Sequence, residues 1–290
     1  MTIAAESATW DIRTRSLSAA DHTLVMGVVN PTPDSFSDGG RWAEPGAAVR
    51  RGFKIWDEGA DIIDVGGEST RPGATPVDTD EELVRVMPVV EALASQGIVV
   101  SIDTSKPEVA RAAVDAGAEI VNDVTGLSNP AMIEACADSR VGVVVMHMLG
   151  EPRTMQSDPT YDDVVGDVTG FLRDRTTRAV DGGVERSRIV VDPGIGFGKT
   201  FEHNLALLAG IGQLGGDRPV LIGASRKRFL GTILEHAGRP HGPDDRDTAT
   251  AAAVALAVAG GAAVVRVHDV AGAVDAARTA DAIVRVRDRA

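Results

Sequence analysis

The 290-residue sequence has little of several residue types, and each scarcity excludes a class of protein. Its single cysteine, Cys136, cannot form an internal disulfide, so we interpret it as a small buried residue and expect a reducing, cytoplasmic compartment. Basic residues are outnumbered 29 to 42 by acidic ones, and the net charge of -13 would repel nucleic acid and anionic membranes. We therefore expect neither nucleic acid nor a membrane as a partner.

The sequence also lacks an uninterrupted hydrophobic run of membrane-spanning length. Its most apolar stretch, Ala249 to Val265, consists mostly of Ala, Gly and Val and is interrupted by Gly260 and Gly261. It predicts a buried helix, a turn and a strand. Residues 1–21 show neither a basic leader nor an apolar run, and we interpret them as a flexible N-terminal extension before a single domain at residues 22–290.

What the chain has in abundance is short runs of Val and Ile that alternate with helical patterns. Such runs are typical of parallel strands buried on both faces, and their alternation with helices indicates right-handed βα units. Three of the helical patterns end at a glycine, Gly59, Gly117 or Gly261, for which we expect a left-handed backbone. The eight predicted strands lie within residues 23–30, 60–67, 98–104, 119–124, 141–147, 188–194, 219–225 and 264–270.

Eight βα units in about 270 residues predict an α/β fold of the (β/α)₈ TIM-barrel type rather than an open doubly wound sheet, which usually has fewer strands. The longest stretches without periodicity, near residues 30–46, 67–80 and 147–163, follow strands. In a barrel these loops lie at the C-terminal ends of the strands, where we expect the active site.

Each predicted strand ends in a polar side chain, so the barrel would bring these groups together at one mouth. They fall into an anionic and amide-bearing part and a cationic part, which indicates a ligand with two chemically different ends. A carboxylate beside an amide suits the donor-rich edge of an aminopyrimidinone ring, and the cations suit phosphate or carboxylate. The first part is Asp103, Asn122 and Asp192, and the second is Arg71, Lys227, Arg266 and His268.

The glycine-rich segment Gly194–Thr200 is superficially similar to a phosphate-binding P-loop. Pro193 occupies the position of the first glycine of that motif and removes an N–H group that the motif needs. We interpret the segment as a tight βα loop beside the ligand, with Phe197 as a flat surface for an aromatic ring. His147 also ends a strand, and we interpret it as a structural residue.

Eight segments in order resemble the dihydropteroate synthases of the pterin-binding family, from about Thr23 to the final helix. The resemblance implies condensation of 6-hydroxymethyl-7,8-dihydropterin diphosphate with 4-aminobenzoate, inhibition by sulfonamides, a homodimer and a requirement for Mg²⁺. The segments are GVVNPTPDSFSDGG, DVGGESTRPGA, SIDTSKP, VNDVTG, MHMLGEPRTMQ, DPGIGFGKT, GASRKRFLG and RVHDV.

The resemblance also implies roles for individual residues. Asp103, Lys227, Arg266 and His268 are expected to be catalytic. Asn30 would hold Mg²⁺ and, with Arg266 and His268, the diphosphate, while Asp34 and Phe36 belong to a loop that closes over the site. The pterin would contact Asp103, Asn122, Asp192 and Lys227, and 4-aminobenzoate would contact Thr70, Arg71, Pro72, Phe197, Ser225 and Lys227. Met146 and Gly223 are expected to be further substrate-binding residues.

Two other functions remain open on the sequence. A pterin-dependent methyltransferase would share the barrel and the Asp and Asn contacts, but it should lack NPTPDSFSDGG and ASRKRF, which are both present. A catalytically silent paralogue that binds pterin usually loses anion-binding residues, whereas Asn30, Lys227, Arg266 and His268 are all present here.

Overall fold

The computed structural model describes residues 9–31, 45–69, 74–151 and 154–287. Within these ranges there are ten β-strands and ten α-helices. The strands are β1 (Thr9–Asp11), β2 (Ser16–Ser18), β3 (Leu24–Val29), β4 (Ile62–Gly66), β5 (Val100–Asp103), β6 (Ile120–Asp123), β7 (Gly142–Met146), β8 (Ile189–Asp192), β9 (Leu221–Ile222) and β10 (Val264–Val267). The helices are α1 (Pro45–Asp57), α2 (Thr79–Ala94), α3 (Pro107–Asp115), α4 (Pro130–Ser139), α5 (Val164–Asp181), α6 (Phe201–Ala209), α7 (Ile211–Leu214), α8 (Arg228–His236), α9 (Asp247–Ala259) and α10 (Val270–Arg287).

Eight parallel strands form a nearly closed barrel surrounded by helices. Their order is β8-β7-β6-β5-β4-β3-β10-β9, and a parallel bridge between Val191 and Val220 joins the two ends of that order. The predicted (β/α)₈ barrel is therefore confirmed, as are its eight strands. The stretch Ala249 to Val265 contains the end of α9 and the start of β10, as predicted, and none of the described helices is long and apolar enough to cross a membrane.

Local sequence signals determine where the helices begin and end, including the helices that follow the loops at the C-terminal ends of the strands. Helix α2 begins after Asp78, whose carboxylate accepts a 2.8 Å hydrogen bond from the backbone N–H of Glu81. Helix α6 begins with a capping box between Thr200 and His203. At the helix ends, the left-handed backbone expected at Gly59, Gly117 and Gly261 is confirmed by φ angles of 100°, 111° and 96°.

Residues 9–18 differ from the expected flexible extension. Strands β1 and β2 pair as an antiparallel hairpin, and Trp10 and Ile12 are buried against the lower interior of the barrel. The indole N–H of Trp10 donates a 2.8 Å hydrogen bond to the carbonyl of Arg188. The apolar side chains at alternate positions, Trp10 and Ile12, gain enough burial to order a hairpin that is too short to be stable alone.

The alternation of side chains along each strand divides the barrel interior into two levels. Inward residues near the strand starts, such as Leu24 and Ile62, belong to the apolar cluster that Trp10 covers. Two residues further along β4, and likewise along β10, the same inward face carries Asp64 and Arg266. The outward face packs on the surrounding helices, mainly through apolar side chains.

Candidate active site at the mouth of the barrel

A partly buried guanidinium, with 24% of the Arg266 side chain exposed, lies at the centre of the upper level. Arg266 Nε donates to Asp64 Oδ2 at 2.6 Å and Arg266 Nη2 donates to Asp103 Oδ2 at 2.7 Å. Asn122 Nδ2 donates to the same Asp64 oxygen at 3.1 Å. These contacts join side chains from four strands, because β5 and β6 bring Asp103 and Asn122 into register as neighbours.

Burial and charge act on this cluster in opposite directions. Burial raises the pKa of Asp103 to about 7, although the Arg266 guanidinium acts to lower it. For Arg266 itself burial would lower the pKa, but the Asp64 and Asp103 carboxylates raise it above its usual value. Arg266 therefore stays charged, while Asp103 can gain or lose a proton near neutral pH.

The predicted division into an anionic part and a cationic part does not hold for Arg266. It lies between two carboxylates instead of among the other cations. The physical reason is that two buried carboxylates without a counter-ion would be strongly destabilising. Asp64 was missing from the predicted site, which consisted of residues at the strand ends, because it lies in the middle of β4. The signal was available, because Asp64 follows Ile62 on the inward face of a strand that is otherwise apolar.

Asp192 forms the second carboxylate position of the mouth. Its Oδ1 accepts a 2.7 Å hydrogen bond from the backbone N–H of Gly194, and burial raises its pKa. A methyl group placed on Gly223 would lie 3.9 Å from Asp192 Oδ2. Gly223 therefore leaves room beside that oxygen for a flat ligand that donates hydrogen bonds.

Lys227 and Phe197 form a cationic and aromatic pair. Lys227 Nζ lies 4.0 Å from the centre of the Phe197 ring, within the range of a cation–π interaction. Gly196, with a φ of +81°, lets the lysine stem pass, because a methyl group there would lie 3.1 Å from Lys227 Cδ. Phe197 also packs in a small apolar cluster with Val124, Met146 and Met155. Such a pair suits an aromatic ring that carries a negative charge.

Ser225 and His268 are in contact at the ends of two neighbouring strands. Ser225 Oγ lies 3.0 Å from His268 Nδ1 and accepts a 3.2 Å hydrogen bond from the His268 backbone N–H. Lys227 is the N-cap of α8, so Ser225 lies close to the N-terminus of that helix, where a negative charge is stabilised.

Asn30 follows β3 and lies near the Asp103 side of the mouth. A methyl group on Gly66 would be 3.4 Å from Asn30 Oδ1 and 3.2 Å from Asp103 Cβ, so both side chains lie over Gly66. The structure thus brings together Asn30, Asp103, Asn122, Met146, Asp192, Phe197, Gly223, Ser225, Lys227, Arg266 and His268 at one end of the barrel. The remaining predicted residues, Asp34, Phe36, Thr70, Arg71 and Pro72, lie outside the described residues.

Comparison with known proteins assigns this barrel to a family. Residues 26–268 match the family described as "Pterin binding enzyme". The dihydropteroate synthase of Mycobacterium leprae (strain TN) is 50% identical over 263 residues, which cover 89% of this chain and 92% of that protein.

Solved structures show the same likeness in three dimensions. The Xanthomonas albilineans dihydropteroate synthase with 4-aminobenzoic acid has a TM-score of 0.87 and 48% identity, covering 96% of this chain and 98% of that one. The Burkholderia cenocepacia dihydropteroate synthase complexed with 7,8-dihydropteroate has a TM-score of 0.87 and 45% identity, covering 98% and 99%. The chain belongs to the pterin binding enzymes, among the dihydropteroate synthases.

Proposed function

We infer that the chain catalyses the condensation of 6-hydroxymethyl-7,8-dihydropterin diphosphate with 4-aminobenzoate, giving 7,8-dihydropteroate and diphosphate for folate synthesis. The observation that carries this inference is the arrangement of side chains at the mouth of the barrel. The carboxylates and the amide lie beside the open space at Gly223 and next to the Lys227–Phe197 pair. The chain that carries this arrangement belongs to the pterin binding enzymes. One half suits a donor-rich pterin edge, and the other suits an aromatic carboxylate.

We propose that Asn122 and Asp192 recognise the pterin through hydrogen bonds. An ionised carboxylate accepts two hydrogen bonds side by side, and an amide both donates and accepts. The space beside Asp192 Oδ2 is open at Gly223, and Met146 supplies an apolar surface nearby. Lys227 lies close enough to Asp192 to favour its charged form.

We propose that 4-aminobenzoate binds on the other side of Lys227. Its ring would stack near Phe197, and its carboxylate would approach Ser225 and the N-terminus of α8. Thr70, Arg71 and Pro72 would complete this pocket, as the family resemblance implies, and Asp34 and Phe36 would help to close it.

The chemistry needs charge stabilisation more than a protein nucleophile. When the C–O bond to diphosphate breaks, the pterin methylene becomes cationic, and the amine nitrogen of 4-aminobenzoate then attacks it and loses a proton. Asp103 in its ionised form would stabilise the cation, while Arg266 and His268 favour departure of the anion. A buried carboxylate acts more strongly on developing charge than it would in water.

Mg²⁺ is part of this proposal. Among the described residues, no group of three or more His, Cys, Asp or Glu side chains could hold a metal. Mg²⁺ is commonly bound by one or two protein groups together with substrate phosphates and water, which the single oxygen ligand Asn30 would fit. Bound there with the diphosphate, the ion would neutralise charge on the leaving group. We also propose a homodimer and a cytoplasmic location, on the family resemblance and the single buried cysteine.

The test is an assay of purified protein with both substrates and Mg²⁺, following diphosphate release and dihydropteroate formation together. Lys227→Ala is the site variant, and Lys54→Ala, on the exposed face of α1, is the surface control. Product with wild type and Lys54→Ala but not with Lys227→Ala supports the proposal. Pterin binding without product would indicate a silent paralogue, and thermal stabilisation by methyltetrahydrofolate alone would indicate the methyltransferase.

A further inference from the structure

The loop between β8 and α6 has a backbone held by side chains. Three consecutive carbonyl groups each accept one hydrogen bond from a side chain rather than from a neighbouring strand or helix. The pairs are Gly196 with Gln156 Nε2 at 2.6 Å, Phe197 with Lys199 Nζ at 2.9 Å, and Gly198 with Tyr161 at 2.8 Å. Phe197 therefore sits on a fixed backbone although it belongs to a loop with three glycines.

Lys199 differs from the other two donors because it is buried. Only 3% of its surface is exposed, and its Nζ also lies 2.9 Å from His147 Nδ1. His147 is itself fixed to the end of the neighbouring strand, since its backbone N–H donates to the carbonyl of Asp192 at 2.9 Å. Lys199 thus connects the Phe197 carbonyl to the strand ends that carry the pterin side of the mouth.

The protonation states of His147 and Lys199 are compatible with these hydrogen bonds. Burial, with a contribution from Lys199, lowers the pKa of His147 to about 3, so its imidazole is neutral and Nδ1 can accept the hydrogen bond. Burial lowers the pKa of Lys199 to about 7, against the effect of Asp192. A neutral amine retains two N–H groups, so Lys199 can still donate to Phe197 after it loses its proton.

A lysine in this place is destabilising compared with an apolar side chain of the same length. Burying an amine whose charged form is disfavoured costs free energy that a methionine would not. Methionine would lose both the hydrogen bond to the Phe197 carbonyl and the contact with His147 Nδ1. The structure therefore connects a destabilising side chain, Lys199, to the position of the Phe197 ring.

We propose that Lys199 is a positioning residue for 4-aminobenzoate, the substrate that accepts the pterin group. Together with His147, it fixes the Phe197 ring against which 4-aminobenzoate binds. This inference rests on the proposed function and deepens it. The ring of 4-aminobenzoate would pack on Phe197, so a Phe197 ring that is no longer held in place would offer a poorer contact surface and weaken the binding of this substrate. On the pterin side, the side-chain hydrogen bonds of Asn122 with Asp64 and of Asp192 with Gly194 involve neither Phe197 nor Lys199.

The test separates the two substrates. Lys199→Met keeps the length and removes the donor. We expect the KM for 4-aminobenzoate, measured at saturating pterin diphosphate, to rise about tenfold, which corresponds to one or two lost hydrogen bonds. The KM for pterin diphosphate and the Kd for the pterin alone should stay within about twofold of wild type. A rise in both KM values, or a fall in kcat alone, would overturn the proposal.

His147 provides the matched pair of variants. In His147→Asn the amide oxygen can replace Nδ1 as acceptor, whereas His147→Leu cannot accept. We expect Asn to retain most of the acceptor affinity, and Leu to resemble Lys199→Met. In the double variant of His147→Leu and Lys199→Met, the KM for 4-aminobenzoate should rise by less than the product of the two single rises. The reason is that each substitution removes the same contact between Lys199 and His147. Additive effects would contradict the connection.

Failure of the inference is distinguishable from failure of the proposed function. If wild type forms no dihydropteroate, the function is wrong. If wild type is active and Lys199→Met binds both substrates normally, the positioning role alone is wrong. Unfolding curves of all variants are needed, since a destabilised variant lowers the active fraction and so lowers kcat without separating the two KM values.

Discussion

The two ends of the barrel are built from the same strands and yet have opposite chemistry. At the lower end the inward side chains are apolar and Trp10 covers them, so this end is closed to water. At the upper end the inward side chains include Asp64, Asp103 and Arg266, which are joined by hydrogen bonds. The comparison teaches that one end of a strand can provide stability while its other end provides a reactive site.

Buried polar atoms without a hydrogen-bond partner occur at the upper end and also elsewhere among the described residues, at Glu82, Arg218 and Arg246. Within the described ranges, two buried oxygen atoms of this level, Asp64 Oδ1 and Ser101 Oγ, have no hydrogen-bond partner. Each such atom costs roughly 1–3 kcal/mol relative to a satisfied one.

The largest expected effect comes from breaking the charge cluster. Arg266→Met would leave Asp64 and Asp103 as neighbouring buried carboxylates without a counter-ion. We expect the free energy of unfolding to fall by roughly 3–5 kcal/mol and condensation activity to disappear. Denaturant unfolding at pH 8 measures the first effect. Adding Asp64→Asn should restore part of the stability but no activity, and an undiminished stability of Arg266→Met would contradict the cluster.

The next effect tests the closed end. Trp10→Ala removes a buried indole and should lower the free energy of unfolding by about 3 kcal/mol, because a cavity remains among the interior side chains. The kcat and both KM values of the folded protein should not change at temperatures well below its melting point. Trp10→Phe, which keeps most of the burial and loses the hydrogen bond to Arg188, should cost about 1 kcal/mol. A change in KM would show that the two ends are coupled.

The sequence predicted the upper end better than the lower one. Runs of Val and Ile marked all eight barrel strands, and polar residues at their ends marked the mouth. The hairpin at residues 9–18 was missed because each strand has only three residues and its order depends on contacts with the distant barrel interior. Asp64 was missed because it lies one level below the strand end, although a lone carboxylate in an otherwise apolar strand was a signal that the sequence contained.

Some interactions depend on geometry that no local pattern encodes. Lys199 was part of a recognised segment, but its contact with His147 joins residues 52 apart in sequence. Charge sorting by residue type placed Arg266 with the other cations, although the strand register places it between carboxylates. The roles of Asp34, Phe36, Thr70, Arg71 and Pro72 stay predictions.

A smaller effect is expected from pH. If ionised Asp103 stabilises the cation, kcat/KM for pterin diphosphate should be constant above pH 7 and fall about tenfold per pH unit below it, since its pKa in the free enzyme is about 7. Asp103→Asn should have a low rate without this acidic limb. If kcat/KM of Asp103→Asn still falls below pH 7, the titrating group is another residue or the substrate. Lys199→Met should keep the limb, which separates Asp103 from the lysine with a similar pKa.

The smallest effect comes from a charge pair at the closed end. Arg15 Nη2 lies 2.7 Å from Glu119 Oε1, a distance close to those in the Arg266 cluster, but 46% of the Arg15 side chain is exposed. Only the Arg15 end of this pair is exposed, since 6% of the Glu119 side chain is exposed, but water and salt screen that end, so Arg15→Ala should lower the free energy of unfolding by about 1 kcal/mol. Glu119 keeps its hydrogen bonds from Thr14, so no buried charge is left alone. The difference between Arg15→Ala and Arg266→Met, measured by the same denaturant titration with and without added salt, gives the effect of burial on ion pairs of similar length. A loss at Arg15 as large as that at Arg266 would mean that burial does not account for the contrast between the two ends.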